Sequence, residues 1–212
     1  MMSWLLMAGL QSTGGAVGGA AAAVAGPTYT ADGQLKFPAD YREWVFLSSG
    51  VDMSYSPAAT ASAHPVFDNV FVNPAAYKVF MKTGTWPDGT MFMLEIRGSE
   101  SNHSINVRGH TQAPAVNGME VHVKDSSRLK GGWGFYNFGK GGESAKLIER
   151  PAACYTCHEA HGAVDTTFVQ FYPTLIGVAK DKGTLSAEYL KDEAAAAGPS
   201  AGATAPAATP AK

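Results

Sequence analysis

Cysteine is nearly absent from this sequence. Only two occur in 212 residues, Cys154 and Cys157, and they stand three apart, so there is no disulfide framework from which to infer a redox compartment. Excess charge is missing too: 16 Lys and Arg against 18 Asp and Glu leave a formal net charge of -2. That balance excludes the broad basic field that gathers nucleic acid. No apolar run reaches the ~20 residues a membrane-spanning helix needs. The most apolar stretch, near the N-terminus, is broken by Gln11, Ser12, Thr13 and several glycines. No lysine or arginine precedes Lys36, no methionine follows Met119, and no internal repeat is visible.

What is present at the ends sets the domain boundaries. Trp4-Leu5-Leu6-Met7 opens a small and apolar stretch that closes on Ala23-Val24-Ala25, an A-x-A cleavage signal, so residues 1–25 are expected to be an export signal lacking the usual basic start. The expected location is therefore the periplasm. From Glu193 onward the chain is Ala- and Pro-rich with no aromatic and no large aliphatic residue. Residues 192–212 are expected to form a disordered tail, leaving 27–191 as one folded domain.

Within that domain, short runs rich in Val, Phe, Tyr and Met at 44–49 (WVFLSS), 66–72 (VFDNVFV), 90–97 (TMFMLEIR), 119–124 (MEVHVK) and 133–138 (WGFYNF) predict strands. Residues 73–84 carry helix punctuation: Asn73 able to cap, Pro74 at the first helical position and Gly84 at the end. Pro87-Asp88-Gly89 marks a tight turn into the third strand. After Gly142 the character changes, and 144–150, 152–161 and 186–197 are predicted helical. The polar stretch 98–117 reads as a long loop. Strands with helices to one side make an α+β fold with a mainly antiparallel sheet and the helices concentrated towards the C-terminus.

Cys154-Tyr155-Thr156-Cys157-His158 matches C-x-x-C-H, the attachment sequence for a c-type haem. Two thiols three apart on a helical turn reach two vinyl groups, and the adjacent histidine is then placed to ligate the iron. A zinc site would need a second cysteine pair, and a thioredoxin-type redox pair would need a preceding βαβ context; neither is present. With no methionine beyond His158, and with Met91 and Met93 on a strand where packing is their usual role, the sixth iron position is expected to be open. His161 is expected at the surface or in a hydrogen bond. His64, His103, His110 and His122 form no ligand-spaced cluster, although His122 falls on a strand.

Several ordered stretches resemble the cytochrome P-460 and cytochrome c′-β family: 41–45 (YREWV), Asn73-Pro74, 82–84 (KTG), 86–90 (WPDGT), 123–126 (VKDS), 132–135 (GWGF), the late C-x-x-C-H and 171–173 (FYP). The resemblance implies one haem c, a homodimer, and an open distal face that meets nitric oxide or hydroxylamine. In the hydroxylamine-oxidising branch, a lysine cross-linked to the haem lies on the strand after the Pro-Asp-Gly-Thr turn; by that spacing Leu94 occupies its position here. Phe92, two residues earlier, shares the face of Leu94, and Glu95 takes the opposite one. An apolar distal pocket lined by Phe92 and Leu94 is similar to the c′-β branch. Glu120 falls near the distal carboxylate of the oxidising members and is the candidate catalytic acid or base; the alternative for it is a solvent-facing strand position.

Three functions are therefore in contention: a periplasmic haem protein binding nitric oxide or a similar small ligand, an oxidoreductase acting on hydroxylamine or nitric oxide, and an electron carrier serving a redox partner protein. The first is the leading expectation, because Leu94 replaces the lysine.

Overall fold

In the computed structural model, the described residues are 26–56 and 58–197. Five strands form one antiparallel sheet in simple sequential order: β2 (Val45–Val51), β3 (Val66–Val72), β4 (Met91–Ser101), β5 (His110–Lys124) and β6 (Trp133–Asn137). A two-stranded ribbon joins β1 (Leu35–Lys36) to β7 (Ser144–Ala145). Helices α1 (Pro74–Thr83), α2 (Ala153–His161), α3 (Pro173–Lys182) and α4 (Ala187–Ala196) complete an α+β fold.

Both faces of the sheet are covered, which is why Met91, Phe92 and Met93 on β4 are all buried rather than alternating. On one face Val72, Phe92 and Trp133 pack with Phe80 of α1, Leu175 of α3 and Tyr189 of α4. On the other, Met91, Met93, Val121 and Val123 pack beneath Leu35 of β1 and Tyr41. Met91 and Met93 thus take the packing role expected of them.

Helix α1 begins at Pro74 and ends at Gly84, as its punctuation predicts. Asn73, however, does not cap it. Its side chain accepts from the Met91 N–H at 2.9 Å and donates to the Gly89 carbonyl at 3.0 Å, pinning the turn before β4. Gly84 adopts φ 72, and a Cβ there would meet Lys182 Cβ at 2.7 Å, so both conformation and the close passage of α3 demand glycine.

Three segments differ from expectation. Residues 144–150 are not helical: β7 pairs with β1, Tyr136 bridges Leu147 and the Ile148 N–H bonds the Phe135 carbonyl at 2.9 Å, so pairing partners override local propensity. The expected loop at 98–117 is mostly ladder, with β4 and β5 continuing as a polar hairpin through Ser99↔Gln112 and Ser101↔His110. Its two faces show no clear apolar alternation, which removes the sequence signal for a strand. Finally, the helix expected at 186–197 forms as α4 and so carries order past position 192, where the tail was expected to begin: Ser186 caps it by accepting from the Tyr189 N–H at 3.0 Å, and Asp192 pairs with His161 at 2.6 Å. Residues 1–25, where the export signal is expected, and residues 198–212 lie outside the described residues.

The face away from the helices carries a fully buried carboxylate, Glu95. It accepts from Tyr41 Oη at 2.6 Å and from Arg97 Nε at 2.6 Å, and pairs with Arg42. Burial alone would raise its pKa, but the bonds from Arg97 and Tyr41 and the charge of Arg42 outweigh that and hold it below the usual value. Its stabilisation is therefore present above the unfolded carboxylate range and is lost as pH falls through the depressed folded value. Replacing Glu95 with Gln is expected to cost about 2–3 kcal/mol at pH 7, given one half-exposed and one partly buried arginine left behind. Urea unfolding should show that loss shrinking towards low pH; a variant of unchanged midpoint at pH 7 would contradict this account.

Candidate functional site

Helix α2 places the cysteines and His158, and its own position is set by Tyr155, one of the two residues inside the C-x-x-C-H. Tyr155 is buried, meets Phe135 of β6 edge-on at 4.9 Å and donates to the Ile148 carbonyl at 2.8 Å. Arg150 stacks over its ring at 3.9 Å. Cys154 and Cys157 are free thiols, each partly exposed.

His158 is oriented by a device that no sequence signal announces. Its Nδ1 lies 2.8 Å from the Thr166 carbonyl. A carbonyl only accepts, so Nδ1 carries the proton and Nε2 keeps its lone pair. Burial also lowers the pKa of His158, only partly opposed by that bond, which favours the neutral imidazole a metal needs. The carbonyl is delivered by a turn in which Asp165 and the β-branched Thr166 both take positive φ, 51 and 62. Such conformations cost free energy and persist only where the surroundings enforce them. Here Lys124 pairs with Asp165, Thr167 Oγ1 donates to the Val164 carbonyl at 2.6 Å, and Trp86 Nε1 donates to Thr167 Oγ1 at 3.0 Å.

The imidazole projects into a cavity of about 260 Å³ walled by the helix-side face of the sheet. Register fixes what that wall presents. Directly paired residues of an antiparallel sheet share a face, so one row contains Val72, Phe92, His122 and Phe135, and the next contains Ser48, Val70, Leu94 and Glu120. His158 lies against the first row, 4.7 Å from Phe135 and 5.0 Å from His122 by ring centroids, with Phe168 at 4.1 Å. Phe92 and Leu94 both line the cavity, and Glu95 takes the opposite face.

Glu120 also lines the cavity, beside Leu94, where it is half-buried. It accepts one hydrogen bond, from Asn137 Nδ2 at 3.1 Å. Burial first, and then the neighbouring charge of Asp68, raise its pKa; burial raises that of Asp68 as well. The lining is mostly apolar, with Val70, Phe92 and Leu94, and two carboxylates interrupt it, of which Asp68 was hidden in sequence by the alternation of an ordinary strand.

His122, one of the scattered histidines, is brought to His158 by the β5 register. It stacks flat on Phe135 at 4.0 Å, and its Nε2 is buried without a partner. Burial, and then His158, push its pKa well below the usual value. His161 faces outward and bonds Asp192 on α4. Among the described residues no group of three or more His, Cys, Asp and Glu side chains is arranged to hold a metal ion by itself.

These donors fit a haem. A neutral imidazole with a free Nε2 opens into an aromatic cavity, and two unpaired thiols lie on the same helix one and four residues earlier. The class is that of an α+β haem protein in which the sheet, not a helical bundle, walls the pocket. The Cytochrome P460 family model matches residues 38–169, and the chain belongs to that family, which implies a haem cofactor. The match covers the whole five-stranded sheet, α1, α2 and the Thr166 turn, and leaves α3 and α4 outside. No curated protein matches the chain.

Replacing Thr167 with Val keeps the side-chain volume but leaves the buried Trp86 N–H unpaired. A loss of about 1–3 kcal/mol is expected in denaturant unfolding, with faster amide exchange at 164–167. An unchanged midpoint would show that this network does not hold the turn.

Proposed function

We propose that this chain is an exported, periplasmic mono-haem protein of the c type that binds nitric oxide or a similarly small nitrogen ligand at an open haem face. Cys154 and Cys157 would carry the thioether links and His158 Nε2 the axial bond. Haem, when bound, supplies an iron that takes a diatomic ligand and exchanges one electron. The single observation that carries the reading is Leu94: it lies in the cavity-facing row next to the one that meets His158, where the oxidising branch has its cross-linking lysine. Val70, Leu94 and Phe92 present apolar side chains on that side. None of the three offers a hydrogen bond, which disfavours dioxygen, whose bound form carries partial negative charge, more than nitric oxide. A homodimer and an electron-donating partner protein complete the proposal on family grounds. Among the described residues no helix is long and apolar enough to cross a membrane.

A second reading, oxidation of hydroxylamine, is favoured by Glu120. A half-buried carboxylate with a raised proton affinity, facing the cavity beside Leu94, is suited to accept a proton from a bound N–H or O–H group. The ferrous optical spectrum separates the readings. A broad high-spin spectrum, with negligible hydroxylamine turnover in the presence of an artificial electron acceptor, is the expected result. Sharp low-spin α and β bands would overturn it in favour of an electron carrier. Robust turnover that falls about 100-fold in Glu120→Gln would establish the second reading instead.

A further inference from the structure

The two faces of the sheet treat carboxylates differently. Glu95, on the face away from the cavity, is paired with Arg42 and Arg97. Asp68 and Glu120, on the cavity face, have no cation among the described residues: neither forms a salt bridge there, and no described Lys or Arg lines the cavity. The side chain of Asp68 makes no hydrogen bond or ion pair among the described residues, and its pKa is raised by burial with no opposing cause.

The two carboxylates are close enough to act on each other. Asp68 pairs with Ile96 and Glu120 with Leu94, which puts them in neighbouring rows of one face, and the charge of Asp68 adds to the rise in Glu120's proton affinity. Chain geometry maintains this. Gly50, opposite Asp68, leaves room for the Met53 sulfur, which would lie 2.3 Å from a Cβ at that position. Met53 therefore folds over Gly50 at the cavity rim, beside Asp68.

What surrounds the pair does not neutralise it. From β2 the cavity receives Ser48 and Gly50, from β4 Phe92 and Leu94, from β5 the neutral His122 besides Glu120, and from α2 the neutral His158. The loops add Tyr55 and Tyr172, whose phenols are held protonated by burial. An independent observation points to a polar occupant: His122 is buried, lines the same cavity, and its Nε2 has no hydrogen-bond partner among the described residues.

We propose that Asp68 is a specificity-determining residue which, together with Glu120, makes the cavity select small neutral or protonated nitrogen ligands and turn away anions. The inference rests on the open-site reading above and goes beyond it by naming the property that sorts ligands. Apolar walls admit a diatomic, an unneutralised carboxylate pair in a half-buried cavity repels an anion, and a protonated amine such as hydroxylammonium gains from the same field.

The test compares azide binding to the ferric protein with nitric oxide binding to the ferrous protein, both followed by absorbance at pH 8, where the carboxylates and azide are all ionised. In Asp68→Asn the ratio of azide to nitric oxide affinity is expected to rise about tenfold, the order of effect of removing one charge that faces the same half-buried cavity as the anion. Asp68→Glu should retain the wild-type ratio. So should Asp88→Asn, which removes a carboxylate bonded to Ser126 and outside the cavity. Should Asp68→Asn fold poorly, the wild type alone decides: raising ionic strength should strengthen azide binding by screening the repulsion. A ratio unchanged in Asp68→Asn, or azide binding in the wild type that is insensitive or weakened with salt, overturns the proposal and leaves the open-site reading standing. A wild-type haem that binds neither ligand overturns both.

Discussion

The hydrogen bond from His158 Nδ1 to the Thr166 carbonyl decides which nitrogen of the imidazole faces the cavity, and the remainder of the site is arranged around that choice. A carbonyl can be aimed this way only by a sharp turn, and the turn places Asp165 and Thr166 in left-handed conformations that neither residue prefers. Contacts with distant parts of the chain hold it. Lys124 reaches from the end of β5, Trp86 from the segment after α1, and Thr167 ties the turn to itself. The sheet and the segment after α1 are therefore the frame that keeps in place the strained carbonyl that orients His158, besides forming the cavity wall.

The sheet also separates two electrostatic tasks. Side chains alternate, so a charge on one face of β4 is shielded from the other by two layers of packing. On the outer face the fold surrounds Glu95 with Tyr41, Arg42 and Arg97, turning a buried charge into a structural cross-link between the N-terminal segment and the sheet. On the inner face Asp68 and Glu120 remain uncompensated, although burial makes that costly. The same sheet thus neutralises one carboxylate with two arginines and leaves two others without a cation among the described residues, facing the cavity.

Much of this was legible in the chain itself. The five strands of the sheet, α1 and α2 announce themselves through β-rich runs, Pro74, Gly84 and the C-x-x-C-H, because those signals are local. Alternation of period two was enough to place Phe92 and Leu94 on one face and Glu95 on the other, and register puts Glu120 beside Leu94. What was not legible depends on pairing at a distance. Asp68 sits within an unremarkable strand, and its partner is 52 positions away. Thr166 gives no sign of positive φ, since threonine rarely adopts it. Residues 144–150 look helical until β1 and β6 are there to pair with them, and α3, whose run Pro173–Lys182 contains Gly177 and β-branched residues, is helical by virtue of packing Leu175 and Ala179 into the core.

The central claim is that Cys154, Cys157 and His158 together hold one haem. Its most direct test is the mass of the denatured protein, purified after co-expression with a haem-attachment system and extracted with acidified organic solvent to strip any haem not bound by covalent links. The account predicts a mass equal to the polypeptide plus one haem, and the polypeptide mass alone when both cysteines are replaced by serine. Recovery of the unmodified polypeptide from the wild type, with all the haem in the solvent, would contradict it.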